Sequence, residues 1–293
     1  MLHYEDMTHD GLGHFSDAVR RWFGETFPAP TDVQSRAWAQ IARGNNALVV
    51  APTGSGKTLA AFLFAIDRLM AGKAEGPRAD ARATKDAGEA EGKADARCKG
   101  GAGGKGVCVL YVSPLKALGA DVERNLAVPL EGITRLLRQG CYPDAAVPEV
   151  TVAMRTGDTT PDARRRLLRR PPDILITTPE SLYLMLTSQA RETLRTVDAV
   201  IVDEIHSLAG NKRGAHLSLS LERLDDLLGA PAQRIGLSAT VTPVDVVARF
   251  LGGPRPVDVV SADERPDFDV SVRVPVRDMT NIPTVAGADG ITP

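Results

Sequence analysis

The sequence predicts an α/β domain with a mostly parallel sheet flanked by helices, and three observations carry that expectation. Short apolar runs alternate with helical patterns along the chain, the order that builds parallel strands joined by right-handed crossovers. One run, Ala47-Leu48-Val49-Val50, leads through a glycine-rich turn into a helical stretch from Leu59 to Ile66. The polar motifs fall just after the apolar runs, where such sheets bind ligands.

The glycine-rich turn is Ala51-Pro52-Thr53-Gly54-Ser55-Gly56-Lys57-Thr58. Buried strand, glycine turn and helix in that order are the context of a phosphate-binding loop. Gly54 and Gly56 let the backbone curl so that the N–H groups of Thr53 to Thr58 point at a phosphate. Lys57 supplies the positive charge for the β- and γ-phosphates, and the Thr58 hydroxyl is a ligand for Mg²⁺. The helix opening at Lys57 adds its dipole. These residues predict a bound nucleoside triphosphate.

The remaining elements follow in order. Residues 14–27 carry Phe15, Val19, Trp22 and Phe23 on one side of a helix, and Pro28-Ala29-Pro30 breaks it. Thr31 with Gln34 forms a capping box for the next helix; the Gln34 amide also matches the donor–acceptor pair of an adenine edge. Phe15 or Trp22 is either a platform for that base or plain core. From Ala71 to Gly106 the chain holds no large apolar residue, so this stretch reads as a disordered insertion within the domain. A strand resumes at Val107–Val112, and a long helix runs from Ser113 to about Arg138. Val150–Met154 is a third strand, ending at Arg155-Thr156-Gly157-Asp158-Thr159. A short basic helix from Asp162 to Arg170 follows, then strand Ile174–Thr177 and a helix capped by Thr178-Pro179-Glu180-Ser181. Ala199–Val202 runs into Asp203-Glu204-Ile205-His206. A helix from Gly214 to Leu228 has a leucine stripe. Ile235–Leu237 ends at Ser238-Ala239-Thr240, before a helix from Val244 to Leu251. The organisation predicted is an N-terminal helical segment at 1–28, an ATP-binding domain at 29–262 and an extension at 263–293.

Four apolar residues before Asp203-Glu204 place a carboxylate at a strand tip. There Asp203 can hold Mg²⁺ opposite Thr58, and Glu204 suits a base that deprotonates an attacking water. His206 reads as a relay between nucleotide and neighbouring segments or as a loop histidine. Ser238 and Thr240 are hydroxyls placed to bond the acidic motif.

Composition narrows the partners. The net charge of −2 over 293 residues gives no global basic field, so nucleic-acid binding requires a local patch. The three cysteines and five histidines lack ligand spacing, which predicts neither structural zinc nor disulfides. The acidic N-terminus does not read as a signal peptide, and no apolar run nears the roughly 20 residues of a membrane span. The expected location is cytoplasmic.

Thr31-x-x-Gln34, Ala51 to Thr58, Pro114-Leu115-Lys116-Ala117-Leu118, Thr156-Gly157-Asp158-Thr159, Thr178-Pro179-Glu180-Ser181, Asp203-Glu204-Ile205-His206 and Ser238-Ala239-Thr240 stand in the order found in superfamily 2 helicases of the DEAD/DEAH type. Asp203 to His206 followed by Asn211-Lys212-Arg213-Gly214-Ala215-His216-Leu217 resembles the Lhr (large helicase-related) family. The resemblance implies a RecA-like first motor domain, ATP as nucleotide and a single-stranded DNA or RNA track. It implies that Lys116, Thr156, Gly157, Thr178 and Glu180 lie along the sugar–phosphate backbone, contacts that carry no base specificity. The cluster Arg164-Arg165-Arg166 with Arg169-Arg170 either extends that track or forms a solvated helix face. Superfamily 2 helicases also use a second RecA-like lobe with arginine fingers, and no Gln-x-x-Gly-Arg segment stands in this sequence. The expectation is therefore a motor lobe that works with a second lobe in cis or in trans. The alternative is a stand-alone ATP-dependent nucleic-acid-binding module or an inactive truncated remnant.

Overall fold

Runs of four mostly β-branched or aliphatic residues are too short for helices and apolar on both faces, so they pair as interior parallel strands. The computed structural model describes residues 11–52, 54–74, 106–140, 147–239 and 241–262, apart from the side chains of residues 74, 116–118, 120 and 140. Its strands are β1 Ala47–Val50, β2 Val109–Val112, β3 Val152–Arg155, β4 Ile174–Thr177, β5 Ala199–Val202, β6 Gln233–Ser238 and β7 Asp258–Ser261. They form one sheet in the order β3-β4-β2-β5-β6-β1-β7, with every pairing parallel. All residues of β1, β2, β4 and β5 are buried, whereas the edge strands β3 and β7 are half-exposed. Pairing Val112 with both Thr177 and Val202, and Val50 with Ser238, brings the C-terminal strand ends to one edge.

The helices are α1 Asp17–Thr26, α2 Asp32–Ala42, α3 Lys57–Ala74, α4 Lys116–Gly140, α5 Pro161–Arg169, α6 Pro179–Leu186, α7 Lys212–Leu228 and α8 Val244–Gly252. One apolar cluster gathers residues of α1 to α4 with one set of strand side chains, and a second gathers α6, α7 and α8 with the alternate set. Helix α1 is part of the first cluster rather than a separate layer. Phe15, just before it, meets Trp38 edge-on at 4.9 Å, and the Ser16 N–H donates to Asp67 of α3 at 2.9 Å. Trp38 in turn donates from Nε1 to the Ala60 carbonyl at 2.9 Å.

Several boundaries differ from the sequence expectation, and three of the differences have a visible cause. Helix α3 runs on to Ala74, past the expected start of the insertion at Ala71, because Lys73 reaches the Glu149 carbonyl at 2.6 Å and Asp173 at 2.7 Å. Strand β3 begins at Val152, since Thr151 is engaged through its N–H and hydroxyl with the Asp173 carboxylate. Strand β7 is an additional edge strand, held along β1. The rest of the insertion to residue 105, and residues 263–293, lie outside the described residues.

Candidate nucleotide and nucleic-acid sites at the strand ends

The loop after β1 adopts the curl its glycines permit: Gly54 and Gly56 have φ of 85° and 78°, values that other residues adopt only with strain. A Cβ on Gly56 would lie 2.3 Å from Gln34 Nε2. Gln34 is 5% exposed and completes the predicted capping box of α2. Its Oε1 accepts from the Thr31 N–H at 3.0 Å, and its Nε2 donates to the Gly56 carbonyl at 3.3 Å. The amide thus ties the start of α2 to the phosphate loop. Lys57 opens α3 and donates from Nζ to the Ala51 carbonyl and, at 2.7 Å, to that of Pro52. Burial lowers its pKa, opposed by the charges of Glu204 and Asp203. Ser55 Oγ is buried with no hydrogen-bond partner, a polar atom that a phosphate oxygen would satisfy. Thr53 lies outside the described residues.

Asp203 stands just beyond β5, 8% exposed. Its Oδ1 accepts from the Glu204 N–H at 2.9 Å, and its Oδ2 accepts from the Tyr111 hydroxyl of β2. Tyr111 is fully buried and stacked on Phe62 at 4.9 Å with 27° between planes. Burial, then the Asp203 charge, pushes its pKa far up, so it remains a donor. Glu204 has a left-handed backbone with φ 44°, a conformation costly for a residue with a Cβ and found at functional sites. Its Oε2 is 3.2 Å from His206 Nε2. His206 Nδ1 accepts from the Ala239 N–H at 3.3 Å and is 3.2 Å from Ser238 Oγ. With Nδ1 accepting, the ring proton sits on Nε2 and faces Glu204. Ser238, expected as a hydroxyl near the acidic motif, thus lies against His206; Thr240 lies outside the described residues.

A cavity of about 590 Å³ joins these groups: Gly54, Gly56, Lys57 and Thr58 line it with Asp203 and Glu204, while Trp22, Phe27, Asp121 and Asn125 face them. Phe15 is core. Phe27, 37% exposed, is the more exposed ring on this cavity, and sequence reasoning left it as the last residue of the first helix. Tyr111 was missed too, although a phenol inside an aliphatic strand demands a polar partner.

The other predicted residues stand at the ends of β3, β4 and β2, which are neighbours in the sheet. Thr156 is buried, its N–H donating to Thr159 Oγ1 at 2.9 Å, and the exposed Gly157 offers its carbonyl to Arg164 at 2.8 Å. Thr178 caps α6 by accepting from the Ser181 N–H at 3.4 Å. Glu180 is half-exposed and paired with Arg213. Lys116 opens α4, its side chain outside the described set. Of the arginine cluster, Arg164 turns back onto Gly157 and Arg165 pairs with Asp162 on α5, while Arg166, Arg169 and Arg170 lie on an exposed face.

Sheet order, phosphate loop and acidic strand end together define a RecA-like phosphate-loop domain. The DEAD/DEAH box helicase family model matches residues 31–248, and the chain belongs to that family. It is 55% identical over 273 residues to the Lhr helicase/probable uracil glycosylase of Mycolicibacterium smegmatis, covering 93% of this chain and 16% of that protein. It is 46% identical over 267 residues to the ATP-dependent helicase Lhr-Core of Methanothermobacter thermautotrophicus, covering 89% of this chain and 28% of that protein. Among solved structures, Mycobacterium smegmatis helicase Lhr bound to ssDNA and AMP-PNP matches with a TM-score of 0.75 at 53% identity, over 93% of this chain and 31% of that one. The chain thus spans under a third of each of these three relatives.

Proposed function

We propose that the domain binds Mg-ATP between its phosphate loop and Asp203-Glu204, hydrolyses it with Glu204 as base, and couples turnover to a single strand crossing the ends of β3, β4 and β2. The observation that carries this reading is the meeting of Lys57, Thr58, Asp203 and Glu204 on one cavity together with the unpartnered Ser55 hydroxyl. No cluster of three or more His, Cys, Asp or Glu able to hold a metal exists among the described residues. One carboxylate and one hydroxyl instead suit Mg²⁺, which keeps several waters and arrives with the triphosphate. Thr58 and Asp203 would hold it, and the ion would neutralise charge on the β- and γ-phosphates.

The chain's own groups do the rest. Lys57 leaves the Ala51 and Pro52 carbonyls for phosphate oxygens. Glu204, oriented by its left-handed backbone and by His206 Nε2, accepts the proton of the attacking water. Thr53 completes the loop, and Thr240 joins Ser238 and His206 in the coupling segment. Gln34 meets the adenine edge after giving up its bond to Gly56, with Phe27 beneath the base. Lys116, Thr156, Gly157 and Thr178 hold the strand's phosphates through a lysine, hydroxyls and helix N-termini. A relative at 53% identity that is bound to ssDNA and AMP-PNP supports a nucleotide and a single strand as the two kinds of ligand. A second RecA-like lobe would close over the nucleotide and supply the arginine finger, and strand translocation or unwinding belongs to that pair.

The test is Glu204→Gln in a protein containing both lobes. Nucleotide binding stays within about twofold of the parent, and strand-stimulated hydrolysis falls by roughly 10²-fold or more. Parent-like hydrolysis would refute Glu204 as the base.

A further inference from the structure

Glu180 is an odd neighbour for a strand of phosphates: a half-exposed carboxylate between two helix N-termini that otherwise attract anions. Arg213, in the first turn of α7, accounts for it. Its Nε donates to Glu180 Oε1 at 2.6 Å and its Nη2 to Oε2 at 3.3 Å, while Nη2 also donates to the Pro114 carbonyl at 2.8 Å. This is the forked geometry that guanidinium and carboxylate share. One side chain therefore joins the start of α6, the turn before α4 and the start of α7. The Arg213 bond is the main cause holding the Glu180 carboxyl below its ordinary range, so Glu180 is ionised and its charge is matched.

Arg213 is itself anchored. Asn211 caps α7 by accepting from the Gly214 N–H at 3.0 Å and donates to the Ser207 carbonyl at 2.6 Å. A Cβ on Gly214 would lie 1.9 Å from the Leu208 carbonyl oxygen, so α7 begins hard against the segment carrying His206. The guanidinium is aimed from a fixed base, not from a free helix end.

We propose that Arg213 is a positioning residue for the nucleic-acid track, cancelling the Glu180 charge so that phosphates meet the N–H donors at the α4 and α6 helix ends instead of a bare carboxylate. This rests on the reading that a strand crosses these ends. Arg213 faces the carboxylate and not the strand, so its loss acts through what it leaves behind. A lost structural contact cannot be repaired by removing its partner as well; a stray charge can.

The experiment measures anisotropy of a labelled single-stranded DNA at low salt with the 293-residue chain and three variants. Arg213→Ala weakens binding about fivefold, the size of one unscreened charge contact at a surface. Adding Glu180→Gln to that variant returns affinity to within about twofold of the parent. Glu180→Gln alone, which removes only an exposed charge and frees the guanidinium, binds as tightly as the parent or tighter. The proposal is overturned if Arg213→Ala binds like the parent, if the double variant is no better than Arg213→Ala, or if Glu180→Gln alone binds more weakly. Should Arg213→Ala fold poorly, the Glu180→Gln result decides. A parent chain with no affinity for the strand refutes the track itself, and the proposal with it.

Discussion

Tyr111→Phe isolates one buried hydrogen bond behind the acidic end of β5. Phenylalanine keeps the ring and its stacking on Phe62 and removes only the hydroxyl that donates to Asp203 Oδ2. A hydrogen bond to a charged acceptor contributes roughly 1.5–3 kcal/mol. In a domain of this size each kcal/mol moves the melting temperature by about 2–4 °C, so the variant melts roughly 3–12 °C lower at neutral pH. A second signature comes from titration. Unfolded tyrosine loses its proton near 10.0, while burial and then the Asp203 charge and hydrogen bond hold the folded group well above that. Between the two values the native state binds more protons than the unfolded chain. The bond's stability is therefore complete below pH 10.0 and is lost as pH rises beyond it, by about 1.4 kcal/mol per pH unit. Thermal melts from pH 7 to 11 measure both effects: a lower plateau for Tyr111→Phe and a shallower alkaline limb. On the proposed role of Asp203 as a Mg²⁺ ligand, losing the partner that orients it raises the Mg²⁺ needed for half-maximal binding of a fluorescent nucleotide. A variant that melts within about 1 °C of the parent, with the same alkaline limb, would refute the bond.

Two further substitutions probe the frame around the site. Asp67 is buried and accepts from the Ser16 N–H, yet burial outweighs its hydrogen bonds and raises its pKa. The folded state holds that proton more tightly than the unfolded chain, so ionisation costs stability as pH rises above 3.8. Asp67→Asn keeps an acceptor for Ser16 and drops the charge; its melting temperature at pH 7 equals or exceeds the parent's, and a loss of several degrees would contradict this. Gly214→Ala forces a Cβ to 1.9 Å from the Leu208 carbonyl oxygen, a backbone clash worth about 1–3 kcal/mol. Chemical denaturation should give a lower midpoint, with an unchanged midpoint ruling out the close approach.

The parts legible in the sequence are those whose cause is local. Strand β1 and the loop after it follow from apolar residues handing over to glycines that accept positive φ without strain, and the capping box needs only Thr31 and Gln34 three positions apart. Asp203 is readable because a buried strand must put its first polar residue at its tip. Glu204's left-handed backbone is not readable: nothing about a glutamate announces it, and the surrounding turn imposes it. Gln34 shows the same limit in another form. Its amide chemistry fits both cap and adenine, and only the fold reveals the third partner, the Gly56 carbonyl 22 positions away. Tyr111 with Asp203 lies 92 positions apart and Arg213 with Glu180 lies 33 apart, separations at which no spacing rule operates.

Those long-range pairs have a common geometry. The sheet order puts β1, β6 and β5 on the side of the phosphate loop and β3, β4 and β2 on the side of the proposed track, with β2 and β5 adjacent. Strand β2 is therefore the one that serves both halves. Tyr111 points from it to Asp203, while the turn at its end gives the Pro114 carbonyl to Arg213. Strand β5 does the reverse, delivering Asp203 and Glu204 to the nucleotide and running on through His206 into α7, which carries Arg213. Two strands paired at Val112 and Val202 thus cross-link the halves twice, once through a phenol and once through a guanidinium. A displacement of Glu204 has little room to dissipate, because His206 is held by Ser238 and Ala239 and Gly214 leaves no gap behind Leu208. Close packing of this kind transmits a shift instead of absorbing it, so a nucleotide and a strand bound as proposed would be coupled through the β2–β5 pair.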